Sequence, residues 1–457
     1  MSIKLTVSEI VGITGGQLLC GDPGTIIDNI QYDSRAVREN TLFVPIKGAR
    51  VDAHMFIDEC LKKAAATLTM YDAPEGAEKP YIKVDNTLAA LQKLAADYRR
   101  RFSLHLVGVT GSVGKTSTKE MIAAALSKGF DLMKTEGNKN SQIGMPMTMF
   151  EIENKNEVAV IEMGMSEFGE MERLCDVAAP DIAVMTNIGT AHIENLGTQE
   201  NIMSEKFKIT NHFKKNSVLF LNGDDKLLKT LHGKQPFRTV TFGIESDNDY
   251  YADNIQTVGL SCEFVCHSKN GDRRFTVPTL GIHSVRNALA AIAVSEYLGL
   301  DDETIQKGLD TYKNAPMRQQ LHDMGNYILI DDSYNASPEA MVSSIDVLRS
   351  VSKGRTIAVL ADMLELGEKG EQLHYNVGQY AAKAGIDTVI TVGSLAKSIA
   401  KGAKDGGTTD TSSFMSNDEA YSYLCSKLSD GCAVLIKGSR GMHTDEIVSK
   451  LLSNSNK

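Results

Sequence analysis

Gly111-Ser112-Val113-Gly114-Lys115-Thr116 carries the most legible chemistry in this chain. It follows the apolar run Leu104–Val109 and leads into a helix-like segment, Glu120–Leu126. A buried strand, a glycine-rich turn and a helix N-terminus together turn backbone N–H groups toward phosphate. Lys115 would reach terminal phosphates, and the Thr116 hydroxyl would hold Mg²⁺. The general phosphate-loop pattern places an earlier glycine where this chain has Val109, with Gly108 one residue too early. The competing interpretation is a Gly/Ser turn before an ordinary helix. A buried strand feeding Gly-Lys-Thr argues against it.

Other strand ends carry polar groups. Val158-Ala159-Val160-Ile161-Glu162 is an apolar run closing on a carboxylate, followed by Met163-Gly164. Alone, Glu162 is as much a solvated strand end as a metal ligand; beside a phosphate loop the metal role is favoured. Thr186-Asn187-Ile188-Gly189-Thr190-Ala191-His192 again sets polar groups after a strand, where open α/β sheets build their sites. His192 is a candidate ligand or acid/base group, although a lone histidine is more often a surface or core residue. Asp331-Asp332-Ser333-Tyr334-Asn335-Ala336-Ser337-Pro338 reads either as an Asx-type turn or as a contact for ligand hydroxyls. Lys206 falls in a helix expected over Asn201–His212; by spacing alone it reads as a solvated lysine like its neighbour Lys208.

The elements that must position these groups divide the chain into three units. Residues 1–84 hold short strand-like runs (Ile26–Tyr32, Thr41–Pro45, Ala66–Met70, Tyr81–Val84) around a helix near Met55–Ala65. A helical linker, Thr87–Arg100, opens the unit 85–314. There Leu104–Val109, Val158–Met163, Ile182–Thr186 and Ser217–Leu221 read as parallel strands buried on both faces, and Gly281–Leu298 as an alanine-rich helix. The pattern breaks near Asn314-Ala315-Pro316. Residues 315–457 then form a second open α/β sheet from Tyr327–Ile330, Thr356–Leu360, Thr388–Val392 and Ala433–Ile436, with Lys404–Ser413 as a surface loop.

With 457 residues, three domains fit the usual domain size. A net charge of −10 argues against a partner that wraps nucleic acid. No secretory leader or bilayer-length apolar run is evident, so a cytoplasmic protein without membrane insertion is expected. The seven cysteines are scattered and odd in number, which predicts free thiols in a reducing compartment. Cys262 and Cys266 share a face of the strand expected over Leu260–His267, so a buried pair is favoured over a metal site.

Gly111–Thr116, Glu162 with Met163-Gly164, Asn187 with His192, Gly281-Ile282-His283 with Asn287, Met317-Arg318 and Asp331–Pro338 occur in the order seen in the Mur ligase family. The chain resembles that family over nearly its whole length. Such features are similar across the cell-wall amide ligases and in folylpolyglutamate synthase. Ala361-Asp362-Met363-Leu364-Glu365-Leu366-Gly367 with His374, Glu136–Gly144, and Asp33-Ser34-Arg35 with Leu42-Phe43-Val44 are similar to the branch that adds D-alanyl-D-alanine. The chain departs from the family at Asn40 and Ala315, where glycine is common, and at Ser204-Glu205, where alanine usually precedes the lysine.

The resemblance implies an α/β protein of three domains: a small α/β substrate domain (1–84), a central P-loop ATPase-like domain with a mostly parallel sheet (85–314), and a C-terminal Rossmann-like ligase domain (315–457). It implies UDP-N-acetylmuramoyl-tripeptide and D-alanyl-D-alanine as substrates, ATP, two Mg²⁺ ions and a monomer. Ser34 and Arg35 would lie near the uridine diphosphate. Thr110, Gly111, Ser112, Val113, Gly114, Lys115, Thr116 and Ser117 would hold ATP phosphates, with His283, Asn287, Arg318 and Asp332 around the adenosine and phosphates. Thr116 and Glu162 would bind one Mg²⁺ and His192 a second. Lys206 would carry a carbamate formed from CO₂, which replaces a cation by an anion and would join Thr116, Glu162 and His192 among the metal-binding residues. Lys115, Glu162, His192 and Lys206 would be the catalytic set. Asn138, Asn140 and Asn335 would line the peptide acceptor or donor site. The alternatives are another amide ligase of the family, a nucleotide-dependent switch and an inactive scaffold. Asn138-Lys139-Asn140-Ser141 lacks the aspartate a guanine-reading switch needs.

Overall fold

A computed structural model describes residues 3–454 of the chain. The first unit has a five-stranded sheet in the spatial order Gln17–Cys20, Tyr81–Lys83, Ala66–Thr69, Thr41–Phe43, Asn29–Gln31, parallel except for the first strand. Its expected strand Ile26–Tyr32 is split at Asp28. Ile26–Ile27 pairs with Leu5–Thr6, while Asn29–Gln31 joins the main sheet. The helix expected over Met55–Ala65 is shorter: a 3₁₀ turn, Ala53–Phe56, runs into Ile57–Leu61. Asn40 stands at a φ of 55°, a left-handed position that asparagine tolerates and glycine fills without strain.

The central sheet has nine strands, in the order Gly271–Val277, Ser261–Ser268, Tyr250–Val258, Arg238–Gly243, Val218–Asn222, Ile182–Met185, His105–Thr110, Val158–Glu162, Leu132–Lys134. The first three form an antiparallel meander, and the rest run parallel. Alternate residues of the parallel strands enter different cores, because successive side chains point to opposite faces. Val107, Val109, Val158, Val160, Ile182 and Val184 meet the helices Lys115–Leu126 and Ile282–Tyr297. Leu106, Ala159, Ile161, Ala183 and Met185 face the other way. That second core runs without a break into the first unit through Leu91, Leu94 and Ala95 of the helix Thr87–Arg100. The segment expected as a linker is therefore a shared wedge.

The last sheet has six strands, in the order Gln320–Asp323, Ile328–Asp332, Ala433–Lys437, Thr356–Ala361, Thr388–Val392, Asp410–Phe414, parallel except for the first. Asp410–Phe414 is a strand where a loop was expected. Its Asp-Thr-Ser-Ser-Phe sequence lacks an apolar run because it is an edge strand with partly exposed residues. Helices cover both faces, each with its own core. Cys262 and Cys266 are both buried on one face, and all seven cysteines are free.

Parallel strands bring their carboxyl ends to one edge. Glu162 is in register with Val109, and Met185 with Thr110, so the phosphate loop, Glu162 and Thr186–His192 emerge together. In the last sheet Asp332 is in register with Lys437, which is paired in turn with Leu360. The helix of the phosphate loop is held from behind by Asp302–Leu309. A Cβ at Gly308 would lie 2.4 Å from the Ala124 carbonyl oxygen and 2.6 Å from that of Ala125. Gly308→Val should therefore destabilise the protein by about 1–3 kcal/mol, read as a lower denaturant midpoint, because backbone cannot give way as a flexible side chain can.

Candidate active site

The carboxyl edges of the central and last sheets face a cavity of about 720 Å³. Its wall includes Ser112, Val113, Gly114, Lys115, Thr116, Ser117, Asn140, Glu162, Asn187, His192, His283, Asn287, Arg318, Asp332 and Asn335. Thr110, Gly111 and Lys206 are buried and do not line it; Asn138 is exposed and also lies off the wall. Ser34 and Arg35 sit apart in the first sheet's domain. Arg35, with 89% of its side chain exposed, bonds Asp33.

The phosphate loop is fixed by Asn187 and Thr186. Asn187 Oδ1 accepts from the Val113 N–H at 2.8 Å, and its carbonyl accepts from the Ser112 N–H at 3.0 Å. The Thr186 hydroxyl donates to the Val113 carbonyl at 2.6 Å. Gly111 takes a φ of 152°, and a Cβ there would fall 1.9 Å from the Thr186 hydroxyl oxygen. The close approach therefore demands glycine at Gly111, although the general pattern's glycine is replaced by Val109. Lys115 Nζ folds back and donates to the Gly111 carbonyl at 2.8 Å. Burial lowers its pKa, while Glu162 works against the shift. Thr118 Oγ1 donates to Asn287 Oδ1 at 2.9 Å and ties this helix to Ile282–Tyr297.

Glu162 is 2% exposed. Its Oε1 accepts from Asn140 Nδ2 at 2.7 Å, and its N–H donates to Thr135 Oγ1 at 3.0 Å. Its Oε2 is buried without a hydrogen-bond partner. An unpaired carboxylate oxygen in a dry site is costly unless a cation or donor meets it. No cluster of three His, Cys, Asp or Glu side chains suited to a metal occurs among the described residues. A sparse oxygen donor set of this kind fits Mg²⁺, which retains water and takes phosphate oxygens as ligands. The unpartnered Glu162 oxygen has the chemistry for such a site, and Thr116 lines the same cavity.

Lys206 is fully buried, and its Nζ has no hydrogen-bond partner. Burial drives its pKa well below the ordinary lysine range, and the Lys115 charge adds to the shift. The solvated-lysine reading is thus wrong: the helix Gln199–Phe207 ends one residue later, a 3₁₀ turn takes over, and Lys208 alone reaches the surface to pair with Glu205 at 2.8 Å. His192 also has a lowered pKa, first through burial and then through Lys115; Glu365 opposes the shift.

Across the cavity, Asp332 Oδ2 accepts from Lys437 Nζ and from the Ser344 hydroxyl, each at 2.5 Å. Asp331 Oδ1 instead accepts from the Ser333 N–H and hydroxyl, so Asp331 serves the turn. Arg318 stacks over the Tyr334 ring at 4.1 Å. His283 Nδ1 pairs with Ser343 Oγ at 2.9 Å, and burial lowers its pKa. Lys437 and Glu339 were not foreseen. Lys437 ends the apolar strand Ala433–Lys437 as Glu162 ends its own, and that shared position was the available signal. Glu339 Oε1 accepts from the Thr190 N–H at 3.0 Å, a contact between sheets that no local pattern marks.

Three family descriptions match the chain: "Mur ligase family, catalytic domain" over residues 26–99, "Mur ligase middle domain" over 109–295 and "Mur ligase, glutamate ligase domain" over 317–440. A Bacillus subtilis (strain 168) protein named UDP-N-acetylmuramoyl-tripeptide--D-alanyl-D-alanine ligase is 37% identical over 99% of both chains. A crystal structure of MurF from Acinetobacter baumannii superposes with a TM-score of 0.91 at 29% identity, covering 99% of each chain. MurF ligase from Thermotoga maritima in complex with ADP gives 0.85 at 29% identity, over 94% of this chain and 98% of that one.

The buried Lys206 amine has a measurable consequence. Its depressed folded-state pKa means that the unfolded chain binds more protons up to about pH 10.4. The contribution of Lys206 to stability should therefore rise with pH toward that value. In CO₂-free buffer Lys206→Met should raise Tm at neutral pH, with a gain that shrinks as pH approaches 10. A gain independent of pH would show that Lys206 is not held as a depressed amine.

Proposed function

This chain belongs to the Mur ligase family, and on that premise we propose that it is an ATP-dependent amide ligase joining D-alanyl-D-alanine to UDP-N-acetylmuramoyl-tripeptide in peptidoglycan precursor synthesis. The observation that carries the proposal is one crevice that gathers a phosphate loop, the unpartnered Glu162 oxygen and His192, with the buried Lys206 amine beside it.

A carboxylate is a poor electrophile, and phosphorylation activates it. The tripeptide carboxylate oxygen bonds to the γ-phosphorus as the β–γ bridging bond breaks, and ADP leaves. The amine of D-alanyl-D-alanine then attacks the acyl carbon, the bond to phosphate breaks, and the nitrogen loses a proton. When bound, Mg²⁺ supplies positive charge to the transferring phosphoryl group. Lys115 leaves its loop carbonyls for the terminal phosphate, and the loop N–H groups of Ser112–Thr116 hold the remaining oxygens. Thr116, Glu162 and His192 hold metal. His283, Asn287 and Arg318 bound the adenosine side, and Asp332 keeps Lys437 aimed at the cavity. Asn140 and Asn335 face the peptide, Asn138 shapes the turn before Asn140, and Ser34 and Arg35 take the uridine diphosphate. The division 1–84, 85–314 and 315–457 assigns these duties to three domains, whose closure excludes water from the acyl phosphate.

Lys206 fits a carbamate. CO₂ adds only to a neutral amine, and burial keeps this amine neutral at a lower pH than free lysine. The product is an anion beside the metal ligands, which an unmodified lysine cannot supply. The protein acts as a monomer in the cytoplasm under this proposal.

ADP release measured with each substrate omitted in turn tests the reaction. Turnover should require both the tripeptide nucleotide and D-alanyl-D-alanine; rapid ATP hydrolysis without the tripeptide would refute it. A product-mass panel with lysine and diaminopimelate tripeptides then defines the third residue. Lys206→Ala should lose most activity, about 10²-fold or more by analogy with removal of one preorganised charge, and short carboxylic acids should restore part of it. Full activity in that variant would remove the carbamate and leave the ligase. Glu162→Ala should raise the Mg²⁺ requirement.

A further inference from the structure

His192 and Glu365 meet across the cavity from different sheets. His192 Nδ1 lies 2.7 Å from Glu365 Oε2. Both residues occupy the left-handed region, with φ values of 63° and 62°. Non-glycine residues adopt that conformation at a cost, and paired instances point to a functional constraint. Neither is loosely placed. The Glu365 loop is pinned on the Met363 N–H, which donates to His374 Nε2 at 2.8 Å, and on the Leu364 N–H, which donates to Ser439 Oγ at 2.9 Å. His374 Nδ1 in turn bonds the Gly370 carbonyl at 2.6 Å, so Nδ1 is the donor and Nε2 the acceptor. On the other side, His192 is the first residue before the short helix Ile193–Leu196, and Glu194 of that helix packs 3.6 Å from the position of a Gly367 Cβ.

We propose that Glu365 is a positioning residue for His192: it takes the Nδ1 hydrogen, fixes the ring, and leaves Nε2 as the nitrogen with a free lone pair for metal. This rests on the assignment of His192 as a metal ligand. A carboxylate can only accept in this pair, which sets the tautomer. Carboxylate partners of ligating histidines orient the ring and raise its basicity. Here the partner belongs to the C-terminal sheet and the ligand to the central one. The metal-binding geometry at His192 is therefore complete only while those two domains are docked, so docking of the C-terminal domain and assembly of the metal site become a single event. Glu365 has 57% of its side chain exposed, so its replacement leaves the fold intact.

The test measures Mn²⁺ affinity by electron paramagnetic resonance in full-length protein saturated with a non-hydrolysable ATP analogue, beside the Mg²⁺ dependence of turnover. Glu365→Ala should weaken Mn²⁺ binding about 10–100-fold. Glu365→Gln, whose amide oxygen still accepts the Nδ1 hydrogen, should recover most of that loss. In the double variant with His192→Ala the two losses should not add. Unchanged Mn²⁺ affinity in Glu365→Ala, with a loss in His192→Ala, would overturn the positioning role and spare the metal role of His192. Unchanged affinity in both would overturn the ligand assignment itself. Equal losses in Glu365→Ala and Glu365→Gln would also overturn positioning, since the lost charge rather than the acceptor would then be responsible.

Discussion

Two amines and a carboxylate lie within reach of one another's fields beside the cavity, Lys206 and Glu162 buried and Lys115 half-buried. Lys115 depresses Lys206, Glu162 holds up Lys115, and Lys206 bears on His192. Charges removed from water must find partners, change protonation state or be met by a ligand. The protein supplies few partners. Lys206 has none, Glu162 has one oxygen unmet, and Lys115 rests on loop carbonyls. Such an arrangement weakens the folded state and is useful only if something with phosphates and cations arrives. The rest of the molecule is organised to keep this group in place.

That support comes from strand register and from close backbone contacts. Parallel pairing brings Thr110, Glu162 and Met185 to one edge without any specific side-chain bond. Thr186 then leans over Gly111, and Asn187 ties down the next two residues. On the facing sheet the same logic holds Asp332 against Lys437, both at strand ends and both almost wholly buried. Breaking such a pair leaves one charge stranded, which makes it a strict constraint on the crevice's shape.

Much of this was visible in the residues themselves. A phosphate loop after an apolar run, and a carboxylate closing another, are local patterns, and the parallel strands, the helix Thr87–Arg100 and the alanine-rich helix follow from periodicity. Lys206 was not legible from spacing, because its burial depends on how helix Gln199–Phe207 packs against the helices Glu170–Ala178, Ile193–Leu196 and Lys226–Lys229, a tertiary fact. Glu339 was invisible for the same reason, since it matters through Thr190, 149 residues away, whereas Lys437 carried at its strand end the same signal as Glu162 and went unread. The edge strands Gln320–Asp323 and Asp410–Phe414 escaped because edges need no apolar run. Family resemblance, by contrast, singled out Lys206, whose burial local physics had not anticipated.

The interior shared through Leu91, Leu94 and Ala95 has its own outcome for the thermodynamics of the chain. Three large sheets do not make three cooperative folding units. The first two should melt as one block, since neither can lose its partner without baring the same apolar wedge, whereas the last carries cores on both faces that are almost wholly its own, Leu280 being the one residue borrowed from the central unit. Truncation after residue 314 would leave a well-covered fragment, and deletion of the first 84 residues would leave a sticky one.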